Sequence, residues 1–186
     1  MIGKKNVVFG FLMLVVTAAL GPYMAVKYVP GVDEARVVKQ DKVGRLQQLQ
    51  ESNFEEDLQA LPTDAVAKAN TAGILALNLL YNAQAPIDAI KSGPHAHGNL
   101  EALLNIAAGI ALCFIAVAPL FKQIVSWLFI LGALLHSGVL YLVVALDQYW
   151  VLPVMKSGIG PMLVLAALLS IGVAAFIGFK GEPVKD

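Results

Sequence analysis

Residues 102–146 read ALLNIAAGIALCFIAVAPLFKQIVSWLFILGALLHSGVLYLVVAL, and the only formal charge in the stretch is Lys122. A soluble helix pair keeps one polar face, and this run has none, so it reads as two membrane-crossing helices joined at Lys122. Two further runs without Asp, Glu, Lys or Arg lie to either side, Asn6 to Val26 and Ser157 to Phe179. Each has about the 20 residues that carry a helix across a ~30 Å hydrocarbon layer. The sequence therefore predicts an all-α, integral membrane four-helix bundle, a single membrane domain with spans at about 6–27, 98–121, 123–147 and 157–179.

Composition agrees. The 186 residues are 58% hydrophobic and 14% charged, with a mean hydropathy of +0.72, against about 25% charged in soluble domains. Thirteen cationic and thirteen acidic residues leave no net charge to neutralise a phosphate backbone, which argues against nucleic acid as a partner. The single cysteine, Cys113, excludes an internal disulfide, a Cys-rich zinc site, an iron–sulfur cluster and covalently attached haem. No Gly-rich phosphate loop, H-E-x-x-H or G-x-S-x-G motif is present.

The lysines of the short segments set the orientation. Lys4 and Lys5 precede the first span, Lys122 sits in the expected turn between the second and third, and Lys180 and Lys185 follow the fourth; Lys156 alone lies on the other side. Both termini are expected in the cytoplasm of what reads as a bacterial inner membrane protein. Ala19-Leu20-Gly21 resembles a leader-cleavage site, but Pro22 follows directly and the apolar run continues to Val26, so the first span reads as an uncleaved anchor.

Between the first two spans lies an extramembrane helical insertion, about 31–92. Val43, Leu46, Leu49, Phe54, Leu58 and Leu61 recur at helical spacing and predict an amphipathic helix over Asp33 to Leu61, ended by Pro62. A second helix is expected from about Ala65 to Ala85, where Asn70, Asn78, Asn82 and Gln84 argue against a fifth crossing. Gly93-Pro94 then breaks the chain before the second span.

Ionisable and amide side chains inside a span are costly and usually functional. On a helix from Pro94, His97, Glu101 and Asn105 fall at i, i+4 and i+8 and form one stripe. A metal-ligating imidazole commonly gives its second N–H to a carboxylate, and Glu101 lies one turn from His97. His95 would diverge from His97 on a helix and is the fallback ligand. In the third span, His136 and Tyr141 point roughly 140° apart at about 100° per residue. If Tyr141 lines a site, Ser137 shares its face and His136 bonds to another helix; if His136 faces inward, it becomes an alternative haem ligand with His97. The competing structural reading is a hydrogen-bonded seam between helices, of the kind worth about 0.6 kcal/mol per bond.

The chain resembles the styrene oxide isomerases, small four-span membrane proteins. The likeness rests on Lys5, Gly10, Leu12-Met13, Thr17 and Gly21 in the first span, on Ala96-His97 and Asn105 in the second, and on Gly132-Ala133, Val139, Tyr141 and Leu146 in the third. It implies a homotrimer with non-covalent haem b, His97 as iron ligand, and Asn105 and Tyr141 as groups positioning a substrate oxygen. The implied reaction is isomerisation of a lipophilic aryl epoxide to an aldehyde. Two departures stand out: Asn99 and Glu101 widen the interval from His97 to Asn105, and the insertion has no counterpart. The rival expectations are a b-type cytochrome for electron transfer or gas sensing, and a non-catalytic membrane accessory subunit.

The topology makes a direct prediction. In sealed cells, the cysteine of Gln50→Cys is labelled by an impermeant reagent and that of Val184→Cys is not; labelling of both requires a fifth crossing.

Overall fold

The computed structural model describes residues 1–184, so the predicted role of Lys185 lies outside the described residues. In chain order the helices are α1 (Lys4–Ala18), α2 (Leu20–Lys27), α3 (Val29–Glu51), α4 (Thr63–Ile90), α5 (Ala96–Leu112), α6 (Pro119–Ala133), α7 (Val139–Val144), α8 (Leu152–Ser157) and α9 (Ile159–Gly178). A short hairpin of β1 (Glu55–Glu56) and β2 (Gln59–Ala60) precedes α4. The chain is all-α in class, and three helical stretches are long and apolar enough to cross a membrane: Lys4–Lys27, Pro119–Val144 and Ile159–Gly178. It divides into two compact units, Met1–Gly21 with Ala89–Asp186, and Pro22–Asp88.

In the first unit α1 lies along α5, α6 lies along α9, and α5 also meets α6. The close approach of α1 and α5 depends on Gly10, where an added Cβ would stand 2.6 Å from the carbonyl oxygen of Ala102. Polarity runs opposite to that of a soluble protein. Asn6, Thr17, Glu101, Asn105, Ser126 and Ser137 are buried, while Phe176 is 93% exposed and Leu169 72%. Apolar side chains directed outward and polar ones inward are what a hydrocarbon solvent selects.

Several boundaries differ from those expected. The apolar run 102–121 is not one helix, because α5 stops at Leu112 and the chain turns before Pro119. Proline disfavours the helical conformation in the residue before it, and Ala118 is extended at ψ 132°. Lys122 consequently lies in the first turn of α6, buried, and not in a tight turn. The main chain after α5 pairs with the end of α9: Ala116 N–H donates to Gly178 O, and Lys180 N–H to Phe114 O. Lys5 reaches Gln123, so Lys4, Lys5, Lys122 and Lys180 gather at one end of the unit.

Gly93-Pro94 breaks the helix, as expected. α4 runs through Pro86 to Ile90, beyond the expected Ala85, and the chain kinks at Gly93, whose φ −92°, ψ −108° is non-helical, before α5 begins. A π-helical turn, Leu134–Gly138, joins α6 to α7.

In the second unit the expected helix to Leu61 ends at Glu51. Asn53 takes the left-handed conformation, φ 52°, and Phe54 N–H donates back to Leu49 O while Asn53 N–H donates to Gln50 O. This is the Schellman closure, for which asparagine is the usual substitute for glycine. Asp57 and Leu58, both at positive φ, then form the two-residue turn of the hairpin.

Gly10→Val is expected to force α1 from α5 and destabilise the detergent-solubilised protein by about 1–3 kcal/mol, read as a lowered unfolding temperature. Gly172→Val, where an added Cβ meets nothing within 4 Å, is expected to be neutral.

Candidate functional site

Three of the residues singled out in the sequence meet where α5 faces the π-helical turn Leu134–Gly138. Glu101, 4% exposed, accepts a hydrogen bond from His136 Nδ1 at 2.5 Å on one carboxylate oxygen and a hydrogen bond from Ser137 Oγ on the other. The His97 and His136 rings lie 4.9 Å apart, centre to centre, tilted by 55°. Glu101 therefore orients His136 across the helix interface, and not His97 on its own helix as the spacing suggested. In the neutral imidazole this bond fixes the proton on Nδ1 and leaves Nε2 as the lone-pair nitrogen.

The π-helical turn presents these groups together. Successive residues His136 and Ser137 both reach Glu101, and α9 presses against the turn so tightly that a Cβ at Gly160 would stand 2.5 Å from His136 N. Ser137 also lines, with Tyr141, Gly138, Thr17 and Met13, an apolar hollow of about 280 Å³. Ser137 and Tyr141 thus share a face while His136 bonds to another helix, the arrangement that follows from placing Tyr141 at a site.

The stripe along α5 runs from rim to centre. His97, in the first turn, is exposed, and its ring nitrogens have no hydrogen-bond partner among the described residues. Asn105, two turns deeper, is 1% exposed and fully engaged. Its oxygen accepts from Asn6 Nδ2 at 3.0 Å, and its own Nδ2 donates to Glu101 O at 3.0 Å and Phe129 O at 3.3 Å. Ser126 Oγ completes the cluster by donating to Asn6 Oδ1. Asn105 accordingly ties three helices together through both ends of its amide. His95 is tied back to α1, its Nδ1 3.0 Å from Thr17 O, and Thr17 Oγ1 donates to Asn99 Oδ1 at 2.7 Å. Asn6 and Ser126 were not singled out from the sequence, and Thr17 only as part of the family likeness, although any polar residue within a charge-free run carries that signal.

The donor set can be weighed against a haem. An exposed imidazole with free nitrogens is the kind of side chain that would hold a haem iron, and His97 is such a residue. The His136 ring lies beside it, with its Nδ1 engaged by Glu101. No group of three or more His, Cys, Asp or Glu side chains suited to a metal ion occurs among the described residues.

No family model matches this chain, and neither the curated proteins nor the solved structures contain a match.

Glu101→Leu is expected to strand the His136 and Ser137 donors and lower stability by about 1–3 kcal/mol, measured by unfolding in detergent. The Glu101→Leu, His136→Leu pair is expected to couple by at least about 0.5 kcal/mol, whereas strict additivity would mean that the two do not interact.

Proposed function

We propose that the chain is a membrane-embedded haem b protein that isomerises a lipophilic aryl epoxide to an aldehyde. The observation that carries this reading is the exposed, unbonded His97 ring set beside a His136 that Glu101 holds in place. The proposed architecture is a four-span bundle of an inner membrane, with both termini cytoplasmic and residues 31–92 on the far side. α5 serves as the additional span; its 17 residues cover about 25 Å at 1.5 Å per residue. Because His97 is exposed, the reading includes a homo-oligomer, a trimer by resemblance, whose neighbouring subunit closes the haem site.

When bound, a haem iron with one protein ligand supplies Lewis acidity toward an epoxide oxygen. The remaining work falls to the residues of this chain. Tyr141 directs a phenol toward the 280 Å³ hollow and donates a hydrogen bond to the substrate oxygen as it gains negative charge. Phe9, Met13, Val16 and Leu134 wall the hollow with apolar surface, which admits an aryl group and keeps water from the carbocation left on the opened substrate. A 1,2-hydride shift within the substrate then gives the aldehyde, with no electrons gained or lost. Ser137, between the hollow and Glu101, keeps the wall and the histidine pair in register.

The purified protein is expected to be coloured by haem, and His97→Ala to lose most of that absorbance while remaining folded. Loss in His95→Ala with retention in His97→Ala would move the ligand to His95, and a colourless wild-type protein would favour an accessory subunit. Tyr141→Phe is expected to keep the haem and lose about 100- to 1000-fold in turnover of an aryl epoxide, assayed without oxygen or reductant. Absence of aldehyde, with reversible reduction and a low-spin spectrum, would favour a cytochrome.

A further inference from the structure

A second hollow, about 630 Å³ and distinct from the Tyr141 hollow, opens between the start of α1 and the start of α6. Lys4 and Lys5 stand at its rim, and Phe9, Leu12 and Ile130 form its apolar wall. Lys5 Nζ donates to Gln123 Oε1 and sits 4.3 Å above the ring of Trp127, which is half exposed. An ammonium has three donors, so this fixed headgroup keeps hydrogen-bonding capacity to spare. Among the described residues the lining contains no carboxylate, and the chain has no acidic residue before Asp33. Two cations beside an apolar slot match a ligand that has a negative head and a hydrocarbon tail.

We propose that this groove binds an anionic phospholipid from the leaflet at the lysine-bearing end, its phosphate between Lys4 and Lys5 and one acyl chain along Phe9 and Leu12. Basic pockets between membrane helices bind anionic lipid heads in this way, and interfacial indoles such as Trp127, beside the Lys5 ammonium, are common neighbours of headgroups. Phe9 and Leu12 also line the Tyr141 hollow, so the end of the acyl chain abuts that hollow. The inference rests on membrane insertion and not on haem or on the proposed reaction.

The chain has two tryptophans, so Trp150→Phe leaves Trp127 as the sole emitter. This variant is placed in phosphatidylcholine bilayers that contain rising fractions of either brominated phosphatidylglycerol or brominated phosphatidylcholine. Quenching by the anionic lipid is expected to half-saturate at a mole fraction at least about fivefold lower, a preference of roughly fivefold for each lysine engaged. Lys4→Gln with Lys5→Gln is expected to abolish the preference. If that variant does not fold, the same titration of the Trp150→Phe protein in 1 M salt, where screening acts within about 3 Å, is expected to reduce it. Equal quenching by the two lipids, or a preference untouched by both the substitutions and salt, overturns the proposal. Spectra and turnover are not read here, so failure of the lipid site leaves the haem reading standing, and failure of the haem reading leaves the lipid site standing.

Discussion

Asn6 on α1, Asn105 on α5 and Ser126 on α6 meet where each is almost fully buried, and the packing of the first unit follows from that meeting. A hydrogen bond between membrane helices contributes only about 0.6 kcal/mol on average, because the separated helices also find partners. Stranding one of its members in an apolar interior costs more, about 1–3 kcal/mol. The cluster therefore acts less by adding stability than by forbidding other rotations of the three helices. With α5 fixed about its axis, Glu101 is committed to the turn that carries His136 and Ser137, and His97 to the rim.

The apolar runs made the helices legible, and helical spacing made the α5 stripe legible, because both depend only on near neighbours in the chain. Partner choice across helices does not. Glu101 lies one turn from His97 in sequence, yet its carboxylate goes to His136 and Ser137, a pairing that only the facing of α5 and the 134–138 turn decides. Asn105 was found as an inward amide for the same local reason. That its amide is consumed by Asn6 and two main-chain carbonyls depends on α1 and α6, which spacing along α5 cannot report. Other misses carried a readable signal. Pro119 marks the end of the extended residue before α6, and Asn53 closes α3, whereas the apolar periodicity of Phe54, Leu58 and Leu61 pointed onward.

α1 has two roles along one edge. Its Thr17 and Met13 contribute to the wall opposite Tyr141, its Lys4 and Lys5 face the groove at the other end, and Phe9 and Leu12 belong to both hollows. A change in the side-chain conformation of either residue alters the boundary between the two spaces while the helix stays in place, since Gly10, on the opposite face, holds it against α5.

The π-helical turn at 134–138 carries a consequence for comparison by pattern. It inserts about one residue that an α-helix would not need, and one residue turns everything beyond it by about 100°. Counting positions across 134–138 therefore does not measure direction: two chains can place the same side chain at the same point in space and still number it one apart. From His97 to Asn105, α5 is uninterrupted, and there the count is a true ruler. A motif that runs from His97 through Tyr141 mixes the two kinds of interval, so a search with rigid gaps rejects the geometry it seeks.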